Sequence, residues 1–121
     1  MSFIRGKVVA GKGIGSKYGF PTVNLELQKE PDIDHGVYAG LATENQYQVL
    51  VHYGPRPTID DSVPTFEVYF LHYPEGSYFS QLDIEILGKL RDIRKFDSME
   101  EMAEQIKKDL EKAVVEYFGQ V

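Results

Sequence analysis

The sequence predicts a mainly β protein: a small antiparallel barrel with one C-terminal α-helix packed against it. Short runs of alternating apolar and polar residues, separated by turn-forming residues, continue to about residue 96, and helical spacing then replaces them. Several short strands at close spacing are typical of sandwiches and barrels. We therefore expect a single domain over residues 1–121, with the barrel at about 5–96 and the helix at about 98–118.

The strands are predicted from β-prone runs bounded by turn signals. The polar turn Thr43–Gln46 lies between two of these runs and indicates a hairpin, and a loop rich in Pro, Asp and Ser is expected at residues 55–64. Alternation in the last two runs places Phe66, Val68 and Phe70 on one face of the first run and turns Leu82, Ile84 and Ile86 of the second inward. The predicted strands are Lys7–Ala10, Val37–Ala42, Tyr47–Tyr53, Thr65–His72 and Leu82–Leu90.

The end of the sequence predicts an amphipathic helix. Ser98 and Glu101 form a capping box, in which each side chain satisfies the other residue's backbone N–H, and Gly119 is placed to end the helix. The simplest role for this helix is to cover an opening of the barrel. Apolar residues recur at spacings of three and four, at Met99, Met102, Ala103, Ile106, Leu110, Ala113, Val114 and Tyr117.

Composition excludes several classes of function. Thirteen Lys and Arg against nineteen Asp and Glu give a net charge of −6, which argues against general nucleic-acid binding but not against one small phosphorylated ligand. The absence of cysteine excludes disulfides, thiolate metal sites and cysteine nucleophiles. The sequence shows neither a signal peptide nor a membrane-spanning run, so we expect a cytoplasmic protein without membrane contact.

A glycine-rich segment, Gly11–Gly19, follows the first predicted strand. Glycines allow close approach of a ligand to the backbone, whose N–H groups can hold phosphate oxygens, and Lys12 and Lys17 add positive charge. The order of residues is not that of a Walker loop, and no helical pattern follows as in a dinucleotide fingerprint. The segment is therefore either a phosphate-binding loop or a flexible hairpin loop.

Three polar residues on predicted strands carry chemistry. Thr22 and Asn24 project together from one face of the run that follows Pro21, and their oxygens are hard ligands of the kind that Mg²⁺ takes together with substrate phosphates. Glu67 lies on the strand face opposite Phe66 and is a candidate proton acceptor. From the pattern alone, a solvated strand face is the more common explanation for all three residues, since most polar strand residues are exposed.

The sequence resembles the riboflavin kinase (flavokinase) family through five ordered blocks. The resemblance covers nearly the whole chain, roughly from Gly6 to Phe118, and implies a six-stranded Greek-key barrel. It also implies transfer of the γ-phosphate of ATP to the 5′-hydroxyl of riboflavin, giving FMN. The blocks are the glycine-rich loop with Gly19–Leu25, then Gly36–Gly40, Tyr53–Thr58, Thr65–Tyr69 and Ile93–Ser98.

The resemblance also implies roles for individual residues. Thr22 and Asn24 match the family's Mg²⁺-ATP residues, and Glu67 matches its catalytic base. Arg94 and Phe96 lie in a segment that matches a flap beside the flavin pocket, although Arg94 is also compatible with a surface cation. The ATP- and phosphate-binding set then comprises Gly11, Gly13, Gly15, Ser16, Lys17, Thr22 and Asn24.

Departures from the family pattern leave a second function open. Ile14 and Ser16 stand where family loops often carry arginines, so a catalytically impaired flavin- or nucleotide-binding regulatory module is the alternative to a kinase. The expected partners are riboflavin or FMN and ATP or ADP, with Mg²⁺ as the cofactor, no nucleic acid, and a monomeric state. A chain of 121 residues has no room for the family's adenylyltransferase module, so we expect a stand-alone kinase domain.

Overall fold

Six antiparallel strands and one C-terminal helix form the part of the protein that the structure describes. The structure is a computed structural model, and it describes residues 3–9, 22–56, 61–74 and 78–119. The C-terminal helix continues into a single π-helical turn at Val114–Phe118. The elements are β1 (Phe3–Val9), β2 (Thr22–Leu27), β3 (Gly36–Ala42), β4 (Tyr47–Arg56), β5 (Asp61–Phe70), β6 (Gln81–Arg91) and α1 (Met99–Ala113).

The strands close into a barrel in the order β1–β2–β5–β4–β3–β6. Strands β3, β4 and β5 are consecutive antiparallel neighbours, and β2 reaches the far side of β5 through a longer connection, which is a Greek-key arrangement. The predicted hairpin is present, since Ala42 pairs with Tyr47 across the turn. The barrel and its packed helix confirm the fold class predicted from the sequence.

Alternation along the strands separates an interior face from an outer face. Phe66, Val68 and Phe70 of β5 share one face as predicted, and with exposures of 3%, 0% and 2% they belong to the interior cluster. Leu82 and Ile84 of β6 belong to the same cluster, and Ile86 packs against it while half-buried. The strand residues between these positions therefore point to the outer face of the barrel, where the helix lies.

The predicted loop at 55–64 is too long. Strand β4 continues through Pro55 to Arg56 and β5 begins at Asp61, so strand residues occupy both ends of the expected loop. Proline cannot donate to a strand ladder, and here Pro55 and Pro64 fall within a local irregularity of register between the pairs Gly54–Thr65 and Arg56–Asp61. The composition of this stretch therefore marks an irregular pair of strands instead of a long loop.

The capping box is present in part. The backbone N–H of Glu101 donates to Oγ of Ser98 at 3.1 Å as predicted, but the Glu101 carboxylate accepts from the N–H of Asp97 at 3.1 Å instead of from that of Ser98. At the other end, Gly119 adopts a φ of 75° after the π-helical turn. This left-handed conformation suits glycine and ends the helical segment, as expected.

Helix α1 lies on the outer face of the barrel, so the expectation that it covers an opening is wrong. Its buried residues Ile106 and Ala113 pack with Val37, Ala39 and Leu50, which point outward from β3 and β4. A second contact involves Gly88 of β6, where an added Cβ would collide with the side chain of Tyr117. No helix among the described residues combines the length and the apolar character needed to cross a bilayer.

Candidate active site

Three polar residues form a row across the outer face of the barrel. Glu67 of β5 pairs with Asn24 of β2 on one side and with His52 of β4 on the other. Directly paired residues in an antiparallel sheet point to the same face, so these three side chains are neighbours. We call Asn24, Glu67 and His52 the outer-face row. The adjacent pair along the same strands joins Thr22 to Tyr69.

The Glu67 side chain is almost completely buried. Glu67 is 1% exposed, and its Oε1 accepts a hydrogen bond of 2.8 Å from the hydroxyl of Tyr69, which is itself 6% exposed. A solvated strand glutamate, the alternative compatible with the sequence pattern, is therefore wrong for this position. Burying a carboxylate is unfavourable unless hydrogen bonds or charges offset the loss of hydration, so the contacts of Glu67 must compensate its burial.

Asn24 is paired directly with Glu67 across the sheet, and Thr22 is paired with Tyr69, two residues further along β5. Thr22 and Asn24 are half-buried on β2, and both lie on the outer face because Val23 and Leu25 point into the interior cluster. Among the described residues, no group of three His, Asp or Glu side chains could hold a metal ion. A hydroxyl and a carboxamide beside a carboxylate nevertheless fit Mg²⁺, which takes few protein oxygens when phosphates supply the others.

A second polar network joins the end of β6 to α1. The carboxylate of Asp109, 3% exposed, accepts hydrogen bonds from Nε of Arg91 at 3.0 Å and from Nε2 of Gln105 at 2.9 Å. Gln105 in turn accepts from Nη1 of Arg94 at 3.1 Å. Arg94 is therefore exposed yet restrained, which distinguishes it from a freely solvated surface cation.

Phe96 lies beneath two guanidinium groups. The Cζ atoms of Arg94 and Arg91 lie 4.8 and 5.7 Å from the centre of its ring, distances typical of cation–π contacts. The ring is only 8% exposed, so it offers little surface for a further stacking partner in this conformation. The two residues matched to a flavin flap therefore lie together, with Arg94 on the outside.

A groove of about 910 Å³ runs beside the Asn24 end of the outer-face row. Glu67 does not line it. Burial, and after it the charge of Glu30, raises the pKa of the Tyr53 hydroxyl, so Tyr53 is a neutral hydrogen-bonding group in the wall at neutral pH. The described residues that line it include Asn24, Glu26, Lys29, Tyr53, Thr65 and Phe66.

The glycine-rich segment lies outside the described residues. Lys12 and the predicted phosphate-binding residues Gly11, Gly13, Gly15, Ser16 and Lys17 all fall within it, so their roles stay predictions. Of the site residues expected from the sequence, Thr22, Asn24 and Glu67 are brought together on the outer face. Arg94 and Phe96 lie beyond β6, in the segment that leads into α1.

Three residues of this region were not predicted from the sequence. His52 carries no functional signal in the sequence, but the register of β4 against β5 makes it a direct neighbour of Glu67. Tyr69 lies two residues after Glu67 and therefore on the same face, a signal that alternation alone could have given. Asp109 interrupts the apolar face of α1, and a charge at such a position indicates a buried partner.

Comparisons with known proteins agree on one family. The family model described as Flavokinase (riboflavin kinase) matches residues 1–116. The chain is 38% identical over 113 residues to an RNA-binding riboflavin kinase of Bacillus subtilis, covering 91% of this chain and 49% of that protein. It is 34% identical over 120 residues to human riboflavin kinase, covering 92% of this chain and 77% of that protein.

Solved structures give the same result for the fold. A riboflavin kinase from Trypanosoma brucei matches with a TM-score of 0.61 at 26% identity, over 91% of this chain and 75% of that chain. A crystal structure described as a macrolide-efflux protein from Streptococcus pneumoniae matches with a TM-score of 0.78 at 29% identity, over 95% of this chain and 38% of that chain.

The shares of length differ between relatives. The chain spans about half of the Bacillus subtilis protein and 37% of a bifunctional riboflavin kinase/FMN adenylyltransferase from Haemophilus influenzae, but most of the human protein. The family model nevertheless matches nearly all of the present sequence, and the identity to the human enzyme extends over most of both chains. The chain therefore belongs to the riboflavin kinase (flavokinase) family.

Proposed function

We propose that the chain is an ATP-dependent riboflavin kinase, which transfers the γ-phosphate of ATP to the 5′-hydroxyl of riboflavin and yields FMN and ADP. The observation that carries the proposal is the direct cross-strand pairing of Glu67 with Asn24, with Glu67 buried on the outer face of the barrel. Phosphoryl transfer to an alcohol needs a proton acceptor near the acceptor hydroxyl, and oxygen ligands that hold a metal ion near the phosphates. The pair supplies both at neighbouring positions.

Glu67 is the proposed base. The 5′-oxygen of riboflavin forms a bond to the γ-phosphorus, the bond from that phosphorus to the oxygen bridging it to ADP breaks, and the Glu67 carboxylate accepts the hydroxyl proton. Because Glu67 is 1% exposed, the acceptor hydroxyl reaches it only after the groups that cover it move. Such cover also keeps water, a competing acceptor, away from the carboxylate.

Thr22 and Asn24 are the proposed protein ligands of Mg²⁺. The hydroxyl of Thr22 and the carboxamide oxygen of Asn24 would hold the ion together with ATP phosphate oxygens. When bound, Mg²⁺ neutralises the charge on the transferring phosphate. The remaining predicted contacts to the ATP phosphates come from the glycine-rich segment and Lys17.

Arg94 is the proposed flavin contact, with Phe96 beneath it as support. Pairing across the sheet runs from Glu67 through His52 and Val37 to Arg91, three strand spacings, or roughly 14 Å. Riboflavin has its reacting hydroxyl at one end of a five-carbon chain and its ring at the other, so it suits sites separated in this way. The exposed guanidinium of Arg94 can lie against an aromatic ring at the far end.

The proposal is tested by incubating the protein with riboflavin, Mg²⁺ and ATP labelled at the γ-position, and separating the flavins by chromatography. We expect labelled FMN with ATP and none with ADP. Quenching of riboflavin fluorescence without FMN formation would instead identify the alternative, a flavin-binding module that lacks catalysis. Failure to bind either flavin or nucleotide would contradict both functions.

Several further properties stay predictions from the sequence. The net charge of −6 supports a chain that does not bind RNA, in contrast to the Bacillus subtilis relative, of which the chain spans about half. A monomeric state, a single domain and a cytoplasmic location are likewise predictions from the sequence alone. Native mass spectrometry with and without a short RNA checks both the oligomeric state and the RNA binding.

A further inference from the structure

Tyr69 is coupled to Glu67 by both backbone geometry and a hydrogen bond. The two residues are separated by one position on β5, so their side chains share the outer face. The Tyr69 hydroxyl donates to Oε1 of Glu67 at 2.8 Å, and with exposures of 6% and 1% both groups are removed from water. A hydrogen bond to a carboxylate is strong in such surroundings, because water does not compete for it.

The Tyr69 ring is fixed by packing from two sides. It belongs to the cluster between barrel and helix, together with Leu50 of β4 and with Ile106 and Ala113 of α1. In the sheet its Cα is paired with Leu50 on one side and with Thr22 on the other. The hydroxyl is thus held in place by the helix and the strands, independently of any ligand.

From this arrangement we propose that Tyr69 is a positioning residue for the phosphoryl transfer. Its hydroxyl fixes the rotation of the Glu67 carboxylate, so that the carboxylate faces the acceptor hydroxyl when the substrates bind. The inference rests on the proposed kinase function, in which Glu67 accepts the proton. A carboxylate free to rotate spends less time in the productive orientation, which lowers the rate of the chemical step without changing how tightly substrates bind.

The test is Tyr69→Phe, which keeps the ring and removes only the hydroxyl. We expect kcat to fall by about tenfold to a hundredfold, with KM for riboflavin and for ATP within about twofold of wild type. The riboflavin dissociation constant, measured by fluorescence quenching, should not change. The matched control is Tyr38→Phe, which removes a hydroxyl that donates to the backbone oxygen of Asp34 at 2.6 Å, with its ring in the barrel interior.

The outcomes separate this inference from the proposed function. An unchanged kcat in Tyr69→Phe, with wild-type protein producing FMN, overturns the role of Tyr69 and leaves the kinase function intact. A rise in KM or in the riboflavin dissociation constant at constant kcat also overturns it, because Tyr69 would then act in substrate binding. Wild-type protein that makes no FMN contradicts the proposed function, and the role of Tyr69 falls with it.

Discussion

Two carboxylates of the described residues are buried, that of Glu67 on the outer face of β5 and that of Asp109 on α1. Asp109 meets the guanidinium of Arg91 at 2.9 Å, which compensates its charge within the protein. Glu67 accepts a hydrogen bond from the hydroxyl of Tyr69 and lies opposite Asn24. The ion pair of Asp109 suits a structural role, whereas the pairing of Glu67 with Asn24 places it beside a proposed ligand of Mg²⁺.

At the scale of the residue, Asn24→Ala tests the proposed ligands of Mg²⁺. Removing the carboxamide oxygen deletes one of few protein ligands, so the Mg²⁺ concentration that gives half-maximal FMN formation should rise about tenfold or more. A titration of activity against free Mg²⁺ at fixed ATP measures this shift. The control is Asn45→Ala in the β3–β4 turn, where the amide donates only to Tyr47 in the described structure. An unchanged Mg²⁺ requirement in Asn24→Ala would exclude Asn24 as a ligand.

At the scale of the element, helix α1 is attached to β6 at several points. Asp109 pairs with Arg91, and Nζ of Lys112 donates to the backbone oxygen of Leu90 at 2.9 Å. The ring of Tyr117 lies over Gly88, where only a residue without a side chain leaves room for it. These contacts hold the helix against the outer face, and with it the helix residues that belong to the same cluster as Tyr69.

The variant Asp109→Asn tests how strongly this attachment holds. It leaves the guanidinium of Arg91, only 16% exposed, without its counter-charge, so the free energy of unfolding should fall by about 1–3 kcal/mol. Urea unfolding measures the change. The control is Glu104→Gln, because the exposed Glu104–Lys107 pair, at 3.5 Å, should contribute less than about 0.5 kcal/mol. Equal effects of the two variants would show that the buried network does not stabilise the attachment.

At the scale of the whole molecule, the pairing of β1 with β6 closes the barrel. Arg5 and Asp83 are directly paired in this ladder, and Nε of Arg5 donates to the Asp83 carboxylate at 2.6 Å. The hydrogen bond from Arg5 lowers the pKa of Asp83, against a smaller opposing effect of burial. An ion pair that is partly exposed contributes modestly, but it lies where the first and last strands meet.

The lowered pKa of Asp83 predicts a loss of stability in acid. A carboxyl whose pKa is lower in the folded state stabilises the fold above its unfolded pKa of about 3.9, and this contribution disappears as pH falls through the folded value. The difference in Tm between wild type and Asp83→Asn should therefore be present at neutral pH and vanish in strong acid. The control is Asp32→Asn, which changes an exposed carboxyl and should differ little from wild type in Tm at any pH. A wild-type advantage that grew on acidification would contradict the sign.

Most of the fold follows from local pattern. The alternation of apolar residues at Phe66, Val68 and Phe70 can be read without knowing which distant residues they contact. The same holds for the spacing of apolar residues in the helix and for the contact of Ser98 with Glu101. The loop prediction at 55–64 failed because composition does not reveal how much register irregularity a strand pair tolerates. The prediction that the helix covers an opening failed because an amphipathic face shows that a helix is packed, but not against which surface.

The site was predictable only in part, for a similar reason. Outward direction of Thr22, Asn24 and Glu67 follows from alternation, whereas their proximity depends on the pairing of β2 with β5, which are distant in sequence. The burial of Glu67 could not be predicted, because it depends on residues that are distant in sequence and come close only in the folded protein. The proximity of His52 to Glu67 was not predictable either, because it depends on the register of β4 against β5.

The central claim is that Glu67, on the outer face of the barrel, is the base in the phosphorylation of riboflavin. The rate of FMN formation in Glu67→Gln tests it most directly, since the change removes the basic oxygen and keeps the shape. The control is Glu85→Gln, which alters a half-buried glutamate on β6 away from the outer-face row. We predict a fall in kcat of at least about a hundredfold for Glu67→Gln and less than about twofold for the control. A Glu67→Gln protein that forms FMN at the wild-type rate would contradict the claim.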